Sequence, residues 1–202
     1  MNRAGRTVFF TLLYLTASFG RAQITELFQG RGRIAVLNSS SLTAVSPATN
    51  RIGCLDADGA LVSSTKDTID GCATYTRLDE FPYTLSTARG NCSFGDANMQ
   101  VNTDSAYGAR SHAWHCWEGR VGDAGDRLYT IDGFSYPLLC NLDLDCFYDV
   151  KAVPGPGEKA PVWQFFWGSQ QMGITPGHLQ VVWLWEPLDG AHNAEDGSES
   201  KL

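Results

Sequence analysis

The run SHAWHCWE at residues 111–118 holds the densest group of side chains that could do chemistry. His112 or His115 could act with Glu118 as the general acid and base of a hydrolytic reaction, which requires groups that converge within hydrogen-bond reach. If the run is a strand, however, the two histidines point to opposite faces and cannot share one site. The alternative interpretation places both histidines at a strand edge beside a structural disulfide.

Two metal sites are also conceivable. Zinc could bind His112, His115 and Cys116, but it needs a fourth ligand and a free thiolate. Calcium prefers oxygen ligands, which a group of closely spaced polar residues could supply. That group is Asn141, Asp143, Asp145 and Asp149. A solvated strand face gives the same spacing and the pattern of a specific calcium loop is missing, so we predict no cofactor.

The tryptophans are candidates for ligand binding, because flat aromatic faces stack on sugar rings or line the cavity of a small apolar ligand. Trp114 and Trp117 should lie on opposite faces of one strand, so we expect one of them to be an exposed platform. Aromatic residues that alternate along strands are more typical of a core. Four others fit that pattern, namely Trp163, Trp167, Trp183 and Trp185.

Strands must position these residues. Residues 162–167 and 179–186 alternate with a period of two and are rich in aromatic and β-branched side chains, which predicts two strands. We expect them to pair as an antiparallel hairpin with a long loop. Shorter strand patterns recur earlier, separated by glycine and aspartate, and no segment sustains a helical period. The sequence therefore predicts an all-β fold, a disulfide-stabilised antiparallel sandwich or small barrel.

Six cysteines indicate a disulfide framework if the protein folds in an oxidising compartment, because an even number of cysteines can then pair completely. We favour the sequential pairing, because each bond then closes a short loop between neighbouring predicted strands. The predicted pairs are Cys54–Cys72, Cys92–Cys116 and Cys140–Cys146. Two sequons, at Asn38 and Asn91, could accept N-glycans.

The N-terminus predicts a secreted protein. Two arginines precede an apolar run of about 13 residues, which is shorter than a membrane span. The run is followed by small residues that form a cleavage site for signal peptidase after Ala22. Removal of residues 1–22 takes away three arginines and no acid, so the formal charge would move from −7 to −10. We expect a single β-rich domain over residues 23–188 and a disordered acidic tail over 189–202. The acidic surface disfavours nucleic acid as a partner, and we expect no membrane association after cleavage.

Residues 52–92 carry a family resemblance. The segment GCL at 53–55, the segment CATYT at 72–76, and TLST at 84–87 followed by GNC at 90–92 resemble the C-terminal accessory domain of fungal acid ribonucleases of the T-two class. The resemblance extends to about Cys116 and leaves out the later strands. It implies a small secreted β-rich module, of fungal type, without catalytic residues and with a role in attachment to cell-wall polysaccharide.

The sequence thus favours a secreted, non-catalytic β-protein that binds a glycan or a small apolar molecule, with Trp114 and Trp117 as ligand-binding candidates. A second hypothesis is a secreted hydrolase or enzyme-like accessory factor with its site near His112, His115 and Glu118. A third is an effector or surface protein that binds another protein. A concave pocket with convergent histidine and acid would favour the second hypothesis, and a flat aromatic strip would favour the first.

Overall fold

The computed structural model describes residues 28–65, 68–80, 84–105, 112–142, 146–165 and 173–188. The predicted signal peptide and acidic tail lie outside these residues, as do Trp167, Asp143 and Asp145. The strands are β1 Arg31–Asn38, β2 Arg51–Leu55, β3 Leu61–Ser63, β4 Tyr75–Arg77, β5 Leu85–Thr87, β6 Gly90–Ser93, β7 His115–Trp117, β8 Leu128–Thr130, β9 Leu138–Asn141, β10 Tyr148–Val150, β11 Lys159–Ala160, β12 Val162–Gln164 and β13 Leu179–Pro187. Helical structure in these residues is limited to α1 (Pro47–Asn50) and a 3₁₀ turn (Ala124–Asp126). The all-β prediction is confirmed.

The two longest strands, β1 and β13, form the centre of the fold. They run antiparallel in unbroken register from Gly32 opposite Pro187 to Asn38 opposite Val181. Alternate side chains of the pair enter two different cores, because strand neighbours point to opposite faces. Val36 and Trp183 enter the larger core, and their chain neighbours enter a smaller cluster on the other face.

Each central strand pairs on its outer edge with shorter strands. Along β1 these are β2 and then β4, and β4 continues through β5 and β6 to β7. Along β13 they are β9 and then β10. The resulting antiparallel sheet curls into a half-barrel. A backbone hydrogen bond of 2.8 Å from Trp114 N to Val162 O joins the two ends of the curl.

The predicted hairpin of the last two strands is wrong. Strand β10 lies between them and pairs with β12 on one edge and with β13 on the other. All three residues of β10 are buried, so the strand is covered on both faces as well as paired on both edges. A long connection imposes no pairing on the strands it joins, and the buried β10 takes the place of the expected partner.

The disulfide prediction is confirmed in all three pairs, Cys54–Cys72, Cys92–Cys116 and Cys140–Cys146. The second bond links residues that lie directly opposite each other on β6 and β7. Together the bonds contribute on the order of several kcal/mol to stability by restricting the unfolded chain. They fit a protein that folds in an oxidising compartment, although secretion itself stays a prediction.

None of the helices in the described part of the chain is long and apolar enough to span a bilayer.

Candidate functional site

The outer face of strands β4 to β7, which we call the outer face, carries most of the candidate site. Tyr75, Leu85, Cys92 and Cys116 of these strands are buried in the core. The residues that alternate with them point outward, as the strand period requires, and most of them are at least partly exposed, whereas Ser93 is buried. The cross-strand register sets four of them in one row, in the order Thr76, Ser86, Asn91 and Trp117.

Trp117 ends this row as a partly exposed aromatic platform. The His115 ring lies nearly parallel to it, with ring centroids 5.5 Å apart and an interplanar angle of 9°. The Arg120 guanidinium carbon lies 5.6 Å from the Trp117 ring centroid. The first residue of β6 approaches the Trp117 carbonyl so closely that a Cβ on Gly90 would come within 2.2 Å of this oxygen. Gly90 also has a φ of 127°, so both the space and the backbone require glycine here.

His115 is held in place by Asp96. The distance from His115 Nδ1 to Asp96 Oδ2 is 2.7 Å, and the other Asp96 oxygen accepts hydrogen bonds from the backbone and side-chain nitrogens of Asn98. Burial alone would raise the pKa of Asp96, but the bonds from Asn98 and His115 outweigh it and lower the pKa below its ordinary value. No described residue bonds His115 Nε2, so this nitrogen can contact a ligand.

A cavity of about 400 Å³ opens beside the row. Asn91 and Arg120 belong to its wall and connect it with the outer face, because Asn91 stands opposite Trp117 and Arg120 lies against the Trp117 ring. Among the described residues, the lining consists of Leu78, Asp79, Glu80, Thr84, Asn91, Arg120, Val121 and Gly122.

Arg120 is fixed by two carboxylates and supports the cavity wall. Its Nη2 lies 2.6 Å from Asp126 and 2.9 Å from Asp123, and its backbone oxygen accepts a hydrogen bond of 2.9 Å from Asn91 Nδ2. Burial alone would lower the pKa of Arg120, but its bonds to Asp126 and Asp123 outweigh that effect and raise the pKa. The positive charge of this arginine is therefore already matched within the protein.

Trp114 is buried and does not form an exposed platform. Its side chain is 1% exposed and packs against Phe94 and Trp183, with ring centroids 4.7 and 5.4 Å away. The physical reason is the strand period, which places Trp114 on the same inward face as Cys116. Trp117 is the more exposed of the two tryptophans, but it is partly and not fully exposed. Trp183 and Trp185 are buried in the core, as expected.

The predicted hydrolytic group His112, His115 and Glu118 is not assembled. His112 Nδ1 lies 3.1 Å from the Met99 carbonyl, whereas His115 is paired with Asp96. Glu118 is exposed, and among the described residues no contact joins it to either histidine. The zinc alternative fails because Cys116 is in a disulfide and offers no thiolate.

The calcium alternative finds no support in the two described members of its ligand set. Asn141 Nδ2 donates to the carbonyls of Gly125 and Arg127, and its oxygen accepts from Gln164. Asp149 is fully buried and bonded to His178. The remaining members, Asp143 and Asp145, lie outside the described residues. Within the parts of the chain that the structure describes, no three His, Cys, Asp or Glu side chains are arranged to hold a metal ion.

The two sequons differ in their surroundings. Asn38 is exposed at the end of β1. Asn91 is half-buried in the cavity wall, where its side-chain nitrogen donates to the Arg120 carbonyl, and the middle residue of its sequon, Cys92, is in a disulfide. A glycan on Asn91 would have to fit into this half-buried wall, whereas Asn38 is exposed, so Asn38 is the better acceptor.

Sequence reasoning missed a second histidine site. His178 Nδ1 lies 2.6 Å from Asp149, which also accepts hydrogen bonds from Asn102 and Thr175. The ring of His178 is 3% exposed. Nothing in the local pattern identifies this residue, because His178 follows a Pro-Gly turn and its partner lies 29 positions earlier.

No family model, curated protein or solved structure matches the chain. The resemblance to the ribonuclease accessory domain therefore stays a prediction.

Proposed function

We propose that the protein is a secreted, non-catalytic carbohydrate-binding protein whose ligand lies across Trp117 and the adjoining cavity. The observation that carries this proposal is the partly exposed indole ring of Trp117, set in a row of hydroxyl and amide side chains beside a cavity of about 400 Å³. Cavities of this size are typical of small-ligand sites.

A sugar ring matches this surface in two ways. Its apolar C–H face stacks on an aromatic ring, and its hydroxyl groups exchange hydrogen bonds with amides, carboxylates and imidazoles. Trp117 offers the ring, while the Asn91 side-chain oxygen and His115 Nε2 offer polar atoms on the same side of the sheet.

A small apolar ligand fits less well. The aromatic side chains that could enclose such a molecule pack against one another in the core, where the Tyr148 and Trp183 rings stack with centroids 3.7 Å apart. The cavity beside Trp117 has charged residues in its wall, among them Asp79, Glu80 and Arg120, and desolvating charges without pairing them is costly. The polar wall therefore favours a carbohydrate.

An immobilised panel of neutral, cationic and acidic oligosaccharides, probed with the secreted protein, tests the proposal. We expect binding to at least one glycan class, and titration calorimetry should show that Trp117→Ala weakens it by about 1 kcal/mol or more, roughly a fivefold rise in Kd. Val153→Ala, which removes apolar surface from another exposed side chain, serves as the control and should bind as the wild type does. Absence of binding to every glycan, or equal binding by Trp117→Ala, would contradict the proposal.

A further inference from the structure

The cavity beside Trp117 has an unbalanced charge. Asp79 and Glu80 line it with exposed side chains, and no cation of the described residues pairs with either carboxylate. Arg120 is the lining residue with a positive charge, and Asp123 and Asp126 already bind its guanidinium group. The wall therefore presents two carboxylates that the described part of the protein does not neutralise.

Several other acidic groups on the molecule are paired with a cation. Asp56 and Asp58 are both within 2.9 Å of Lys159, and Asp58 also pairs with Arg89. Asp104 is paired with Lys151. In the region described, carboxylates at these places have a cation of the chain beside them, whereas those of the cavity face an open volume large enough for a sugar unit.

We propose that the ligand is a glycan with free ammonium groups, that is, an oligomer of a hexosamine that is not N-acetylated. The inference rests on the proposed function, since it places one sugar ring against Trp117 and the ammonium group of the same or the next unit between Asp79 and Glu80. An ammonium group supplies three hydrogen-bond donors and the charge that the cavity wall lacks. An N-acetylated sugar supplies one amide donor and no charge.

The charge of the whole chain acts in the same direction. The formal net charge is −7, and an acidic protein attracts polycations and repels acidic glycans at long range. Such attraction is screened by salt, so the preference for the amino sugar should shrink as the ionic strength rises. If the cavity carboxylates cause the preference, only variants that remove them should lose it. If the net charge causes it, removal of any two acidic residues should weaken it.

The experiment compares the hexamer of glucosamine with the hexamer of N-acetylglucosamine by titration calorimetry at about pH 6 and low ionic strength. We expect the wild type to bind the glucosamine hexamer roughly tenfold more tightly than the N-acetylglucosamine hexamer. A difference of this size is what one additional hydrogen-bonded ion pair would provide. The double variant Asp79→Asn, Glu80→Gln should bind the two hexamers alike. The matched control Asp70→Asn, Asp132→Asn removes two exposed acids outside the cavity and should keep the preference.

Each other outcome overturns the inference. If the wild type binds both hexamers equally, or prefers the N-acetylated one, the amino-sugar assignment is wrong and the carbohydrate-binding proposal stands. If the control variant loses the preference as the cavity variant does, the selectivity comes from net charge and the cavity is not its site. If neither hexamer binds while another glycan of the panel does, the inference fails alone, and if no glycan binds, the proposed function fails with it.

Discussion

Two Asp–His pairs in this molecule have nearly the same geometry and opposite surroundings. His115 and Asp96 are 2.7 Å apart, and His178 and Asp149 are 2.6 Å apart. The His115 side chain is 24% exposed, on the outer face, whereas His178 is 3% exposed. A short hydrogen bond between imidazole and carboxylate therefore gives no indication of function by itself.

The neighbours of each pair explain the difference. Asp149 bonds to Asn102 and Thr175 as well as to His178, so this carboxylate links β10 to two segments distant in sequence. His178 also faces Asp104 through its second ring nitrogen, at 3.4 Å. The buried pair thus cross-links the fold. In the other pair Asp96 is also buried, but it orients a partly exposed imidazole beside Trp117 and leaves His115 Nε2 without a described partner.

The largest expected effect on stability comes from a core tryptophan, Trp183, and should exceed that from the partly exposed Trp117. Trp183→Ala should destabilise the protein by roughly 3–5 kcal/mol, because it empties a fully buried site that stacks on Tyr148. Trp117→Ala should cost much less, since its ring is partly exposed. Urea unfolding followed by circular dichroism measures both. Equal losses for the two variants would show that Trp117 is a core residue and would leave the proposed ligand without its platform.

The next largest effect on stability should distinguish the carboxylate of Asp149 from that of Asp96. Asp149→Ala should cost about 3 kcal/mol, because it leaves His178, Asn102 and Thr175 without their buried acceptor. Asp96→Ala should cost less, about 1–2 kcal/mol, because Asn98 is exposed and His115 is partly exposed, so water can replace the lost acceptor. The same unfolding measurement applies. A larger loss for Asp96→Ala than for Asp149→Ala would reverse the assignment of structural and ligand-facing pairs.

The smallest effect is a pH dependence at Asp96. Its pKa is lower in the folded protein than in the unfolded chain, so its contribution to stability is present above the unfolded value, about 4, and is lost as the pH falls through the folded value. Melting temperatures measured between neutral pH and about pH 3 should therefore fall less steeply below about pH 4 in Asp96→Asn than in the wild type. Parallel curves would mean that Asp96 is not stabilised as a carboxylate.

Local patterns predicted local features well. The alternation in β13 placed Trp183 and Trp185 in the core, and the strand period around Cys116 put Trp114 and Trp117 on opposite faces. Cysteine spacing predicted the disulfides because each bond closes a short loop between neighbouring strands. These features depend on residues that are close in sequence, so the alternation of side chains along a strand is enough to predict them.

Features that depend on distant pairing could not be predicted. The position of β10 between β12 and β13 follows from burial of both its faces, which a three-residue segment does not reveal. The partner of His115 is Asp96, 19 positions away in a segment without a strand pattern. The short strand β11 pairs with β3, which is distant in sequence, and its proline- and glycine-rich surroundings give no sign of that pairing.

The most direct test of the account follows the ring signals of tryptophan and histidine by ¹H–¹⁵N correlation spectroscopy during titration with partially acetylated glucosamine oligosaccharides, which offer neutral and cationic sugar units in one probe. We predict that the Trp117 indole and His115 imidazole signals shift with the sugar concentration, while those of Trp183 and His178 stay in place. Shifts at His178 or Trp163 with Trp117 unchanged would place the ligand at the buried pair, and a titration that moves none of these signals would contradict the carbohydrate-binding proposal.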